Sequence, residues 1–256
     1  GAIYFESVTV GGQVGGQMWT ADMGAIHITE ACTVAAEQTL TIGPGVDVRF
    51  DADVSINIAG SLVTNGAFTD SIRFLPGTSP GWDGLKFDSG SSTLSFTRVS
   101  GVNNVTPGDN GAVRVRNIGT YLAADNCVID GNHGIIAAGI FVTDQAVVDL
   151  DRCTIKRNIA SNWGGGLVVL WEGNVTATQC VIADNHAEQN VGGVSSGWLG
   201  EVTLVNCTIV RNSARTGAGI AAYSDGLMYA ENCITWYNEP DNAVGTLFDN
   251  PGELEV

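Results

Sequence analysis

Positive charge is scarce in this sequence, and so are long apolar runs. The 256 residues include 11 Lys and Arg against 27 Asp and Glu, which gives a formal net charge of −16 at pH 7. A surface this acidic repels polyanions, which excludes nucleic acid and anionic membranes as expected partners. No run approaches the roughly 20 apolar residues of a membrane-spanning helix, so we expect no membrane insertion by this segment.

A starting Met and a secretory signal peptide are also missing. The chain begins at Gly1, and its last six residues read PGELEV. We interpret it as a mature form or as a piece of a longer protein. Its acidity is typical of a secreted protein that must stay in solution.

A helical period of 3.6 residues is absent, and a much longer period takes its place. Five of the six Cys recur at spacings of 26, 27, 27 and 26 residues. These are Cys127, Cys153, Cys180, Cys207 and Cys233. A disulfide framework is seldom so regular, so each Cys is predicted to hold the same place in a repeating unit.

Two other residue types keep this period. An Asn lies five residues after each Cys, and a Gly lies 12 or 13 residues after the first four. The Asn are Asn132, Asn158, Asn185, Asn212 and Asn238, and the Gly are Gly139, Gly166, Gly193 and Gly219. One unit earlier, Val99 is assigned to the Cys position and Asn104 to the Asn position. Six units in phase indicate a repeat architecture.

Apolar residues alternate within each unit, in three short segments separated by Gly and Asn turns. This pattern predicts an all-β fold, a right-handed parallel β-helix of roughly eight or nine coils stacked ~4.8 Å apart. An open solenoid end exposes unpaired strand, so we expect an N-terminal cap and the first strand over residues 1–30. The β-helix then covers residues 31–256 as a single domain continuous with the cap.

Because the coils stack, residues at the same position of successive repeat units form columns along the solenoid. The Cys column predicts an inward ladder of free, buried thiols. A disulfide between neighbouring coils is the alternative, although parallel side chains suit it poorly and five thiols leave one over. The Asn column predicts a ladder of amides bonded from coil to coil. The Gly column predicts turns with positive φ.

Several segments carry a family resemblance. They are WTADMGAIHITEACTVAAEQTLTIGPGVDVRF near the N-terminus, GWDGLKF, the repeated NCTIVRN-type units and NCITWYN. They resemble coils of bacterial secreted and cell-surface proteins with pectate-lyase-like, right-handed parallel β-helix domains, including polymorphic outer-membrane relatives. The resemblance spans nearly the whole chain and implies this fold, a bacterial source and an extracellular or cell-surface location. It implies no single activity, because the group includes lyases, hydrolases, epimerases, adhesins and structural domains.

The outward columns of the strand after the Gly show no carboxylate pair, no His and no Lys. The first column reads Arg114, Phe141, Val168, Ser195 and Ala221. A glycosidase needs two carboxylates roughly 5 to 9 Å apart, and a polysaccharide lyase needs a base with a cation beside the substrate carboxylate. Arg114 and Arg116 are therefore interpreted as solvated surface residues. No catalytic residue is predicted.

Three carboxylates lie on two neighbouring coils of another strand: Asp125, Asp149 and Asp151. A Ca²⁺ ion takes six to eight oxygen ligands, so a shared Ca²⁺ site is one interpretation. The favoured interpretation is a solvated acidic face that is partly balanced by Arg152 and Lys156. We expect no cofactor, with Ca²⁺ as the alternative.

Aromatic residues give the best functional signal. Trp171 and Trp198 lie nine residues before a Cys, and Tyr223 lies ten before the next. The apolar strand predicted to face outward beside them carries Phe141, Val168 and Leu170. An exposed strip of this kind favours a partner or carbohydrate site, since aromatic rings offer flat faces to sugars. The alternative is that the loops fold back, so that the aromatic rings pack on each other and cover this sheet. Trp163 is expected to lie apart from this strip.

These observations favour a non-catalytic domain with a structural, adhesive, or carbohydrate- or partner-binding role. One alternative is a polysaccharide lyase or glycoside hydrolase acting on an acidic glycan, which the negative charge disfavours. The other is a subunit that self-assembles through the ends or sides of the solenoid.

Overall fold

The structure is a computed structural model that describes residues 7–78, 81–105, 111–241, 243–244 and 253–255. In these ranges every element is a strand except one turn of 3₁₀ helix at Ala21–Met23. The strands pair in parallel, and the chain winds into a right-handed parallel β-helix of about eight coils. The predicted fold class is confirmed.

Each coil contributes strands to three faces of the solenoid. The faces are numbered in the order in which the chain passes through them within one coil. The first face precedes the Cys position and comprises Met18–Trp19, Thr39–Ile42, Ser61–Asn65, Ser91–Ser95, Tyr121–Asp125, Val147–Asp151, Asn174–Thr178, Glu201–Val205, Leu227–Glu231 and Glu253–Glu255. The second face follows the Cys and comprises Ser7–Gln13, Ala25–Val34, Asp47–Phe50, Ile72–Pro76, Thr97–Ser100, Val128–Asp130, Thr154–Lys156, Val181–Ala183, Thr208–Val210 and Ile234–Trp236.

The third face follows the Gly position. It comprises Ser55–Ile58, Gly84–Phe87, Val113–Arg116, Ile140–Thr143, Leu167–Val169, Val194–Gly197, Ile220–Tyr223 and Ala243–Val244. A short turn ladder runs between the second and third faces and comprises Asn103–Asn104, His133–Ile136, Ile159–Trp163 and His186–Ala187. The long strand Ala25–Val34 joins the two faces, because Ile26 pairs with one and Cys32 with the other.

The repeat units stack in register. Val148, for example, pairs with Leu122 on the coil before it and with Val175 on the coil after it. Because strand side chains alternate, every second residue points inward, and the inward columns form one continuous apolar core. A column of Ile residues that lie two positions after the Cys is part of that core: Ile129, Ile155, Ile182 and Ile209.

The predicted cap region already belongs to the solenoid over its described part. Strand Ser7–Gln13 pairs in parallel with Ala25–Val34, and this second strand runs through the predicted boundary at residue 30. Trp19 is buried, and its indole Nε1 donates to Gln17 at 2.9 Å. Residues 1–6 lie outside the described residues.

The asparagine ladder is confirmed in detail. The Asn158 amide Nδ2 donates to Asn185 Oδ1 at 2.9 Å and to the Ile129 carbonyl at 3.1 Å. Its Oδ1 accepts from the main-chain N–H and the Nδ2 of Asn132. The same amide bonds continue through Asn212 to Asn238 at 2.9 and 3.0 Å. Each buried amide therefore bonds to the coil before it and to the coil after it.

In the unit before Cys127 the predicted frame is wrong by two residues. Val99 pairs with Ile129, which lies two residues past Cys127. Asn104 pairs with Gly134 and therefore lies beyond the Asn position, so its place in the ladder is corrected. A shift of two residues keeps the same side chains inward, which is why alternation alone did not reveal it.

Thr97 and Val102 take the two ladder positions in that coil. The Val102 N–H donates to Asn132 Oδ1 at 3.0 Å and so begins the amide ladder. The Thr97 hydroxyl donates to the main-chain carbonyl two residues earlier, as the Cys thiols do in later coils. Asn104 is buried and donates to a main-chain carbonyl instead.

The Cys column forms a ladder of free thiols, as predicted. Each thiol donates to a carbonyl on the coil before it, at 3.3 Å from Cys127 and Cys153 and at 3.2 Å from Cys207. The hydrogen bond with Cys153, together with burial, raises the pKa of Cys180 to about 12. The four thiols from Cys127 to Cys207 are buried, and Cys233 is half-buried.

The glycine column has a reason other than the predicted positive φ. A Cβ added to Gly139, Gly166 or Gly193 would lie 2.2 to 2.5 Å from the carbonyl oxygen of the next Gly in the column. These glycines are therefore required by the close approach of neighbouring coils. Other residue types take the positive φ, among them those just before the Cys positions: Asn126, Arg152, Gln179, Asn206 and Asn232.

We predict that Asn185→Ala lowers the free energy of unfolding by about 3–5 kcal/mol. The substitution leaves the Ile155 carbonyl and the Asn158 amide buried without their partner, and each such group costs about 1–3 kcal/mol. Urea unfolding followed by circular dichroism measures the loss. The matched control is Asn162→Ala on the exposed turn ladder, expected within about 0.5 kcal/mol of the parent. Equal losses in both variants would contradict a special role for the ladder.

We also predict that the ladder thiols resist a thiol-specific reagent in the folded protein at pH 8. The raised pKa and the burial keep Cys153, Cys180 and Cys207 protonated and inaccessible, whereas half-buried Cys233 reacts first. Colorimetric titration should count six thiols after denaturation. Fewer than six would reveal a disulfide, and rapid native labelling of several thiols would show that the ladder is accessible.

Candidate functional site

The turn between the third and first faces places two consecutive residues in the left-handed region in four successive coils. We call these residues the outer turn: Asp144 and Gln145, Trp171 and Glu172, Trp198 and Leu199, Ser224 and Asp225. Their φ angles lie between 45° and 64°. The turns stack through main-chain bonds, such as Glu172 N–H to the Trp198 carbonyl at 3.2 Å. A bulky residue rarely adopts this conformation, which costs roughly 1–2 kcal/mol.

Two indoles of the outer turn stack along the solenoid. The rings of Trp171 and Trp198 lie 5.5 Å apart at 15°, so each covers one face of the other. Their exposed fractions are 48% and 38%. Below them, Tyr223 meets Trp198 edge-on at 5.5 Å and 88°. The stacked pair is therefore partly exposed, with Trp171 more open to solvent than Trp198.

Two shallow grooves flank this pair, with volumes of about 400 and 370 Å³. Trp171 and Glu172 line both of them. The first groove is completed by Trp198, Leu199, Ser224 and Asp225, and the second by Asn117, Ile118, Asp144 and Gln145. Because the grooves share a wall, they form one surface, which we call the outer-turn groove.

The predicted exposed strip is only partly present. Trp171 and Trp198 are exposed, but Phe141, Leu170 and Tyr223 have exposed fractions of 4%, 2% and 0%. These three are corrected from surface residues to members of a second apolar cluster outside the main core. Burial raises the pKa of the Tyr223 phenol above its ordinary value, as expected for a ring enclosed by apolar neighbours.

Trp163 explains why the outward side of the third face is buried. It ends the turn-ladder strand Ile159–Trp163 and packs against the cluster around Tyr223. Its ring lies 4.7 Å from Tyr223 and 5.4 Å from Trp198. The prediction that Trp163 lies apart is therefore wrong, and the alternative in which a loop folds back over the sheet holds for this face.

The three acidic residues proposed for Ca²⁺ have protein partners. Arg152 contacts Asp125 at 2.5 Å and Asp151 at 2.7 Å, and the Tyr121 hydroxyl donates to Asp149 at 2.6 Å. Across the part of the chain that the structure describes, no group of three or more His, Cys, Asp or Glu side chains is arranged to hold a metal.

The two arginines considered as a lyase base are held by one carboxylate. Arg114 and Arg116 contact Asp88 at 2.9 and 2.6 Å. Arg114 is buried, so its expected surface solvation is corrected. Both guanidinium groups act as ion-pair partners of Asp88.

Sequence reasoning missed the acidic members of the outer-turn groove. Asp144, Glu172 and Asp225 lie beside the indoles, at eight or nine residues before a Cys. The positions eight and nine residues before the Cys could have indicated this, since they hold carboxylates and Trp, whereas the Cys and Asn positions hold the same residue in all five Cys-containing units of the repeat. Trp163 gave no such signal, because only the folded turn ladder brings it to Tyr223.

Within the described residues no helix is long and apolar enough to cross a membrane. A family model for the right-handed β-helix region matches residues 25–235. No curated protein and no solved structure matches the chain. The match covers most of the chain, which therefore belongs to the right-handed β-helix family.

We predict opposite roles for two tryptophans in stability. Trp163→Ala should lower the free energy of unfolding by about 2–3 kcal/mol, because it uncovers Phe141 and Tyr223. Trp171→Ala should change it by no more than about 1 kcal/mol, since this ring is half-exposed. Urea unfolding of both variants measures the difference. A larger loss for Trp171→Ala would show that the indole pair serves mainly to hold the fold.

Proposed function

We propose that this β-helix chain is a non-catalytic, extracellular or cell-surface domain of bacterial origin that binds carbohydrate through Trp171 and Trp198. The observation that carries the proposal is the stacked pair of exposed indoles in the outer-turn groove. Adhesion or attachment to a glycan surface is the role that such a domain would serve.

The conformation of the two Trp residues supports a role beyond folding. Both are left-handed at φ 45° and 46°. In the neighbouring coils Asp144 and Ser224 occupy the same turn position, which shows that small polar residues satisfy it. Placing Trp there twice costs backbone strain, and strain of this kind concentrates at functional sites.

The shape of the groove suits a sugar polymer. It is open and runs along the solenoid over several coils, so a linear chain can lie in it without threading into a cavity. Trp171 borders both parts of the groove and offers the apolar ring surface on which sugar rings pack. Exposed indoles beside polar side chains are typical of ligand surfaces.

The remaining chemistry is compatible with an extracellular location. The net charge of −16 keeps the chain in solution, and the burial of the ladder thiols shields them from oxidants. Arg114 and Arg116, the arginines considered as a lyase base, are ion-paired with Asp88, which supports a binding role over the lyase alternative.

We predict that a glycan array identifies ligands whose affinity falls at least tenfold in Trp171→Ala and in Trp198→Ala. A tenfold loss corresponds to about 1.4 kcal/mol, which the removal of one ring contact accounts for. Intrinsic tryptophan fluorescence titration measures the affinity of each hit. Trp236→Ala is the matched control, because this indole is also exposed but lies on the second face.

Two results would overturn the proposal. Binding that is unchanged in both groove variants would remove the indole pair as the site. Release of unsaturated uronates from an acidic glycan, read by ultraviolet absorbance with and without Ca²⁺, would replace binding with the lyase alternative.

A further inference from the structure

We infer that the outer-turn groove selects glycans that carry free amino groups, such as oligomers of glucosamine, over neutral and acidic glycans. The inference rests on the proposed carbohydrate binding and adds the charge of the ligand. Its basis is the composition of the groove: the lining residues include the carboxylates of Asp144, Glu172 and Asp225 and no Lys, Arg or His.

Several carboxylates elsewhere on the solenoid are neutralised by arginine from a neighbouring coil. Arg152 contacts Asp125 at 2.5 Å, and Arg211 contacts Asp184 at 2.6 Å. The hydrogen bond and charge of Arg211 lower the pKa of Asp184. The chain has only 11 Lys and Arg for 27 Asp and Glu, so many carboxylates have no basic partner. Surfaces of the solenoid therefore differ in whether their carboxylates are neutralised.

Two carboxylates of the groove, Asp144 and Glu172, receive no Arg or Lys from the residues that the structure describes. Asp144 makes no ion pair with any residue that the structure describes. Glu172 accepts a hydrogen bond from the neutral amide of Gln145 at 2.5 Å. The two carboxylates lie on adjacent coils, ~4.8 Å apart along the solenoid, beside the exposed ring of Trp171. This arrangement leaves negative charge and an aromatic ring facing the same ligand space.

An ammonium group complements both features. A cation at an indole face gains about 0.5–2 kcal/mol, and a carboxylate nearby adds a charge-assisted hydrogen bond. Uronate and sulfate groups meet repulsion in the same place. Along the axis the order is Asp144, Trp171 with Glu172, Trp198 and then Asp225, so successive units of a polymer meet the same combination of ring and carboxylate.

A glucosamine polymer fits better than a basic peptide. Its ring is rigid and presents an apolar C–H surface to the indole while its amine reaches the carboxylate. A Lys side chain loses roughly 2 kcal/mol of rotamer freedom when it is held in one position. A rigid ligand therefore retains more of the contact energy.

The test compares three oligosaccharides of equal length: a glucosamine hexamer, its fully N-acetylated form, and an oligogalacturonate. Fluorescence titration at low salt should give at least tenfold tighter binding of the glucosamine hexamer than of the acetylated one, and no binding of the oligogalacturonate. The preference should shrink in high salt and when the amines are deprotonated at alkaline pH.

The deciding variant is D144N/E172Q, which should reduce the tenfold preference to less than about threefold while Trp171-dependent binding of the acetylated hexamer persists. The matched control is D53N/E37Q, which removes the same two charges at exposed left-handed positions on N-terminal coils. The control should retain the preference. Circular dichroism verifies that both variants are folded.

The outcomes separate the two proposals. Equal, Trp171-dependent binding of the amino and acetylated hexamers, unaffected by D144N/E172Q, would overturn the charge selection and leave the carbohydrate site standing. Absence of binding to every glycan would overturn the proposed function and this inference together. Binding of oligolysine alone would overturn the choice of ligand class.

Discussion

In-register stacking of the coils is the constraint on which the rest of the structure depends. A strand spacing of ~4.8 Å places each residue directly over its counterpart one coil away, as Val148 lies between Leu122 and Val175. A residue type can recur in a column only if it tolerates a copy of itself as a neighbour. Apolar side chains, amides and thiols do so, whereas like charges repel. The columns of the repeat accordingly consist of Ile, Cys, Asn and Gly, and several of its carboxylates lie opposite arginines, such as Asp184 opposite Arg211.

The ladders support one another within this stack. A Cβ at Gly166 would lie 2.5 Å from the Gly193 carbonyl and 3.1 Å from the amide nitrogen of Asn185. Glycine thus makes room both for the close approach of the coils and for the amide that ties them together. The thiols lie at the turn between the first and second faces, where Cys207 donates to a carbonyl of the preceding coil. The buried amides and thiols of the two ladders are thus satisfied by the repeat itself.

The outer turn is the part of the coil that this constraint leaves free. Its side chains point away from the core, and its main chain is bonded whatever residue occupies it, so Asp144, Trp171, Trp198 and Ser224 share one position. Variation there changes the surface without disturbing the stack. Function on a solenoid is therefore to be sought in residues that depart from the period, and here those residues combine the indole rings of Trp171 and Trp198 with the carboxylates of Asp144 and Glu172.

The sequence by itself determined the fold class, the amide and thiol ladders and the exposed indole pair, because a period of 26 to 27 residues and strand alternation are both read along one dimension. Two features were decided only by the tertiary structure. Asn104 lies two residues beyond the ladder position, a shift that alternation cannot register because it preserves which side chains point inward. Trp163 folds over Phe141 and Tyr223 and buries a face that alternation marks as outward, because the path of a long turn depends on contacts between coils that no single repeat contains.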